Sequence, residues 1–148
     1  MLLSKRTQYG IRALVCFAES YEQGYLQSKE ISAREKLPRR FLESILNTLT
    51  RGKYLTSRIG SAGGYRLAKP PEEIMLGEIV ARLEGRWLTE EQPKAKGGAQ
   101  SERAGEFAIR YIQGQLTDAV RQVLDRMSLA DLAEHVAQQD KAGAMYFI

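Results

Sequence analysis

The hydrophobic and polar positions of this chain change pattern several times, and each pattern predicts a different element. From about Lys5 to Glu19 the run Ile11-Arg12-Ala13-Leu14-Val15-Cys16-Phe17-Ala18 is apolar around most of a helix, with Ser4 placed as its cap. Such a helix is covered on more than one side. The expected cover is the long C-terminal helix of this or a second chain. From Ser28 the pattern narrows. Residues Ser28 to Glu35 read as a short helix capped by Ser28, Lys36-Leu37 as a tight corner, and Pro38 to Arg51 as a second helix. In that second helix Leu42, Ile45, Leu46 and Leu49 follow the i, i+3, i+4, i+7 spacing of one buried stripe. Pro38 disfavours helix at Leu37 and suits the first turn of the second helix, while Gly52 suits a helix end.

Beyond Gly52 the period shortens. Tyr54 to Ile59 and Gly64 to Leu67 are short runs rich in β-formers around Gly60, Gly63 and Gly64, which predicts a hairpin. A hairpin directly after a helix pair is the arrangement of a winged helix. Pro70-Pro71 ends it, and a helix comes next from about Leu76 to Glu84. From Glu102 to Met127 an amphipathic stripe predicts a helix of about 40 Å at roughly 1.5 Å per residue. So long a stripe needs a partner surface. Pairing with the same helix of a second copy through Phe107, Tyr111, Ile112, Leu116, Val120, Val123 and Leu124 would bury it. Gly114 marks a place where the partner backbone could come close. Ser128-Leu129-Ala130-Asp131 resembles a capping box that starts a final helix to about Gln138, and the apolar tail Ala144 to Ile148 is expected to dock on the dimer.

The polar side of the second helix carries the candidate chemistry. It consists of Arg39, Arg40, Glu43, Ser44, Asn47 and Thr50, groups that hydrogen-bond base edges and phosphates. A recognition helix in a DNA major groove carries such a face, and so does a plainly solvated helix. Charge distribution favours the former. Residues 1 to 71 hold 13 Lys and Arg against 5 Asp and Glu, whereas residues 72 to 148 hold 9 against 13. The basic half is the half with the helix pair, as counterion release on a polyphosphate requires. Lys5 and Arg6 at the start of the first helix add phosphate-binding candidates.

Composition, at 43% hydrophobic and 27% charged residues, is that of an ordinary soluble globule with room for one domain and an appendage. No run is long enough to span a membrane, which gives a cytoplasmic expectation. Cys16 is the single cysteine, so an internal disulfide and a cysteine-rich metal site within one chain are excluded; its apolar setting reads as a small buried hydrophobe. No nucleophile with a base, no phosphate loop joined to a strand and no metal-ligand cluster stands out, which argues against an enzyme.

Residues 3 to 85 resemble the Rrf2 family of bacterial transcriptional regulators. The resemblance rests on Leu3-Ser4-Lys5, Tyr9, Arg12-Ala13-Leu14, Ile31, Phe41-Leu42-Glu43, Leu49, Gly63-Gly64-Tyr65-Arg66-Leu67, Pro71-Glu72-Glu73-Ile74 and Leu76-Gly77-Glu78-Ile79 in family order and spacing. It implies a mainly α fold with a small β-hairpin wing: a winged helix-turn-helix domain over residues 1–84, a loop over 85–101 and dimerisation elements over 102–148. It further implies a homodimer on a roughly palindromic double-stranded operator. The expected DNA-binding set is Lys5, Arg6, Ser28, Lys29, Arg39, Arg40, Glu43, Ser44, Asn47, Arg58, Ser61 and Arg66. Three departures stand out. Ile59 occupies the place where the family usually has a wing arginine, with Arg58 one position earlier and, by strand alternation, on the other face. Met75 stands where the family often has a capping Thr. The segment 85–101, where many members hold three cluster-binding cysteines, has none. Thiolate ligation of the usual kind is excluded there, so a cluster-free member with no cofactor is expected. Trp87 in that segment reads as an aromatic closing the domain-helix junction. A small-molecule or protein effector fits this scheme, and the second reading is a winged-helix interaction module acting mainly through a protein partner.

Overall fold

The structure, a computed structural model, describes residues 3–85 and 103–146. Its helices are α1 (Lys5–Glu19), α2 (Ser28–Glu35), α3 (Arg39–Arg51), α4 (Leu76–Glu84), α5 (Ala104–Leu124) and α6 (Leu129–Tyr146), and strands β1 (Leu55–Arg58) and β2 (Gly64–Leu67) form one antiparallel hairpin. Of the expected loop at 85–101, all but Gly85, Trp87 included, lies outside the described residues.

Each boundary has a local cause. The Ser4 hydroxyl accepts from the Thr7 N–H at 3.2 Å and so caps α1. Helix α2 is closed one residue earlier than the sequence suggested: the Glu30 carboxylate accepts from the Gln27 N–H at 2.7 Å, and Ser28, the expected cap, is buried. Lys36 ends α2 in the left-handed region at φ 53°, and the Ser32 hydroxyl donates to the Leu37 carbonyl at 2.6 Å, which fixes the corner into α3. Gly52 closes α3 with a helical φ of −76°; the left-handed residue is Lys53, at 64°. Space at position 52 is tight, because a Cβ there would displace the Arg82 side chain and the Tyr54 ring.

The core forms where α1, α3, α4 and the start of α6 meet, around Leu14 and Phe17, the stripe Leu42, Ile45, Leu46 and Leu49, and Ile79 and Leu129. The all-round apolar character of α1 is thereby explained, with one correction: its cover is α4 and α6, not the long helix α5. Met75 offers no side-chain cap to α4, and a main-chain bridge secures that end instead. The Leu76 N–H donates to the Met127 carbonyl at 2.9 Å and the Leu129 N–H to the Ile74 carbonyl at 2.7 Å, which pins the α5–α6 corner to the start of α4. The expected capping box is present. The Ser128 hydroxyl accepts from the Asp131 N–H at 3.0 Å and the Asp131 carboxylate from the Ser128 N–H at 2.9 Å; the latter bond, with the Ser128 side chain beside it, holds the Asp131 carboxyl below its ordinary pKa. Helix α6 runs eight residues past the expected end at Gln138, to Tyr146, whereas α5 spans 21 residues, about 31 Å at ~1.5 Å per residue. The side chains of the apolar tail lie outside the described residues.

Cys16 is buried in this core, with its Sγ 3.6 Å from a Glu35 carboxylate oxygen. Burial pushes its thiol up to about 11, with the Glu35 carboxylate adding to the shift against the opposing pull of Arg34. The neutral thiol is therefore the native form at physiological pH. Iodoacetamide at pH 8 should leave Cys16 unmodified in the folded protein and modify it fully in denaturant; native labelling at the rate of a free thiol would contradict this burial.

Candidate nucleic-acid interface

With its apolar stripe in the core, α3 turns Arg40, Ser44, Asn47 and Arg51 outward, with Glu43 and Thr48 on the two flanks. Neighbouring elements fix several of these groups. From α1, Arg6 donates to the Thr48 hydroxyl at 2.6 Å and to the Ser44 hydroxyl at 3.4 Å, so it braces the middle of α3. From α2, the buried Ser28 hydroxyl donates to a Glu43 carboxylate oxygen at 3.2 Å. The same oxygen accepts from Arg39 Nε at 3.1 Å, which leaves the other oxygen of Glu43 open. From β2, the Tyr65 hydroxyl donates to the side-chain oxygen of the exposed Asn47 at 3.4 Å, which leaves the Asn47 amide nitrogen available as a donor. Phe41, 46% exposed, stands edge-on to Tyr9 at the α1 flank.

The wing docks through backbone. Leu26, in the segment between α1 and α2, exchanges two 2.8 Å main-chain bonds with Tyr65 and so forms a third short rung beside β2. This contact explains the paired glycines: Gly64, at φ 141°, lies so close to the Leu26 carbonyl that a Cβ would overlap it, and a Cβ on Gly63 would overlap the Arg58 carbonyl. In the register, Arg58 faces Gly64 and Thr56 faces Arg66, so Arg58 and Arg66 share the side opposite to Tyr65. Ile59 at the hairpin tip is 100% exposed, and Ser61 offers its carbonyl to the Gln27 side chain at 3.1 Å.

The arginines divide by surroundings. Arg12 pairs with Glu35, Arg34 with Glu19 and Arg39 with Glu43. Among the described residues, Arg40, Arg51, Arg58 and Arg66 have no carboxylate within salt-bridge distance, and neither do Lys5, Lys29 and Lys53. Two of these carboxylates, Glu35 and Glu19, sit with cations of the α1–α2 side and the third, Glu43, pairs with Arg39 at the start of α3, so Arg40 and Arg51 of α3 and the two wing arginines keep their charge uncompensated among the described residues.

Of the twelve residues expected to touch nucleic acid, Ser28 is placed differently, buried beneath Glu43 as a positioning group. Thr48, Tyr65 and Arg82, outside the expected set, also border the outward side of α3 through their hydrogen bonds to Arg6, Asn47 and the Thr48 carbonyl. Arg82 on α4 donates from Nε to the Thr48 carbonyl at 3.3 Å and brings a guanidinium beside the end of α3. Only the fold shows which element Arg82 meets.

A helix pair with a polar, cationic second helix and a β-hairpin packed beside it defines a winged helix-turn-helix DNA-binding protein. The chain belongs to the Rrf2 family, whose model, described as an iron-dependent transcriptional regulator, matches residues 3–135. The protein rrf2 of Nitratidesulfovibrio vulgaris is 30% identical over 135 residues, 89% of this chain and 87% of that one. The solved structure of CymR, the global cysteine regulator of B. subtilis, superposes with a TM-score of 0.73 at 28% identity, covering 91% of this chain and 98% of that one. T. potens IscR shares the fold, with a TM-score of 0.73 at 24% identity over 92% of this chain and 88% of that one. The protein is thus a DNA-binding transcriptional regulator of the Rrf2 type.

Proposed function

We propose that the protein is a homodimeric, sequence-specific repressor of the cytoplasm that binds a roughly palindromic operator without a cysteine-ligated iron-sulfur cluster. The carrying observation is the outward side of α3, where Arg40, Ser44 and Asn47 stand free of carboxylates beside the wing. Arg40 suits a guanine edge and Asn47 an adenine edge, while the open oxygen of Glu43 suits the amino group of cytosine.

The dimer reading draws on α5. Ile109, Ile112, Leu116 and Val123 are each more than half exposed, and their 3-4-7 spacing is that of a heptad seam. Ile109 was absent from the expected set. Leu124 faces a cleft shared with Gly77 and Ala81 of α4 and contributes less to the seam, and Val120 is half-buried. Phe107 and Tyr111 stack on each other with ring centres 6.3 Å apart at the seam's start.

The family's description includes iron, and the donor set of this chain does not fit a thiolate-held cluster. Its single cysteine is buried and held protonated, and no group of three or more His, Cys, Asp or Glu suited to a metal ion occurs among the described residues. No step of the proposed action runs through iron. A small-molecule or protein effector would supply the signal.

Selection of bound sequences from random duplex DNA, with protein prepared without iron, tests the reading. A palindromic motif is expected; no enrichment would oppose it. On the selected operator, Arg40→Ala and Asn47→Ala should each cost about 1–3 kcal/mol at particular base pairs, and Lys5→Ala should weaken all sequences alike. Equal losses on operator and random DNA from all three variants would contradict the assignment of the α3 face.

A further inference from the structure

On the outer side of the wing, two guanidinium groups converge on one aromatic ring. The rung between Leu26 and Tyr65 sets Tyr25 beside Arg66, and the hairpin register sets Arg58 opposite Gly64, so all three side chains stand on one face. The guanidinium carbon of Arg66 lies 4.9 Å from the centre of the Tyr25 ring and that of Arg58 lies 5.9 Å from it. The ring attracts both cations through its negative face. Arg12, Arg34 and Arg39 each have a carboxylate, whereas among the described residues Arg58 and Arg66 have none. Gly64 puts no side chain between them. Two like charges gathered on one ring repel each other, and an anion seated between them removes that repulsion. A phosphate suits this arrangement best, because each guanidinium can offer it two parallel N–H groups.

We propose that Arg58, Arg66 and Tyr25 form a single phosphate-binding site that grips one DNA backbone phosphate outside the bases read by α3, in place of a cationic wing tip. The tip itself, Ile59, is fully exposed and uncharged, so the wing's charge lies on its stem. DNA is the occupant because the hairpin that carries the site follows α3 directly in the chain, through Arg51 and Lys53, which also have no carboxylate within salt-bridge distance among the described residues. Tyr25 acts as a positioning residue that holds both guanidiniums in place before the phosphate arrives. The proposal rests on the DNA-binding reading above.

The test is the salt dependence of binding to a random-sequence duplex, measured with the full chain by fluorescence anisotropy. If both arginines serve one phosphate, Arg58→Gln or Arg66→Gln alone leaves the slope of log K against log salt near wild type, because the remaining guanidinium still displaces the counterion. The double variant then lowers the slope by about 0.9. A Lys pair at both positions restores the slope, and Tyr25→Leu weakens binding at unchanged slope. Separate contacts would instead give a loss of about 0.9 from each single variant and about 1.8 from the double, which overturns the shared site. An unaltered slope in the double variant also overturns it and would turn attention to an acidic protein surface. A wild-type protein with no salt-dependent DNA affinity would remove the DNA-binding reading itself, a result distinct from both.

Discussion

Leu116→Asp should convert the protein to a monomer and weaken operator binding by roughly 10²–10⁴-fold, the range lost when two linked binding events become independent. Leu116 is 62% exposed at the centre of the Ile109, Ile112, Val123 seam, so an aspartate there costs the single chain little. In a paired seam the same aspartate would be buried opposite its own copy. Two desolvated like charges would then oppose association. Sedimentation velocity and operator titration read the two effects separately. Wild-type affinity from a monomeric variant would show that one half-site suffices, and an intact dimer would place the interface elsewhere on the chain. Thermal unfolding should stay close to wild type, because the core of α1, α3, α4 and Leu129 does not include this side of α5.

Gly64→Ala should cost about 3 kcal/mol and lower Tm by roughly 6–12 °C, with the loss centred on the wing. At φ 141° the new Cβ is strained in itself and also meets the Leu26 carbonyl, a backbone atom that cannot rotate away. Relief requires breaking the two 2.8 Å bonds between Leu26 and Tyr65. That break frees Tyr65 from its place beside Asn47, so operator affinity should fall together with stability. Gly60→Ala is the control. Gly60 is also at positive φ, 120°, but a Cβ there meets nothing within 4 Å, and the cost should be about 1 kcal/mol with DNA binding retained. Equal losses from both variants would mean that backbone conformation alone, and not the contact with Leu26, demands the glycine.

The helices of the DNA-binding half were legible because their signals are local. Leu42, Ile45, Leu46 and Leu49 are all fully buried, as their spacing required, and the hairpin and the Ser128 capping box also stand where the sequence placed them. What the sequence concealed depends on segments far apart in the chain. Ser28 looks like a cap by composition, yet it lies under Glu43, fifteen positions away, and Gln27 with Glu30 closes α2 instead. Gly52 looks like a left-handed helix end, yet its smallness serves Arg82, thirty positions on. The cover of α1 was expected from the long C-terminal helix of this or a second chain, because α1 is apolar on more than one side. The fold gives that role to α6, whose start is tied to α4 by main-chain bonds that no side-chain pattern encodes. Among the site residues, side-chain type was readable and partnership was not: Tyr65 beside Asn47 and Arg6 across Ser44 and Thr48 appear only once the elements are packed.

The two main-chain bonds joining Ile74 and Leu76 to Leu129 and Met127 have a consequence for the operator. They fix the direction in which α5 leaves the body that carries α3, so in the proposed dimer the reach from one reading helix to the other is a rigid length. Such a dimer measures helical phase. A single base pair inserted between half-sites turns the second one by about 35° around the duplex axis, and two bodies each tied to α5 in this way cannot track it. Spacer length thereby becomes part of the recognised sequence, although no side chain touches the spacer. A signal that loosened those two bonds would change which spacers are tolerated while leaving the base contacts of each half-site unaltered.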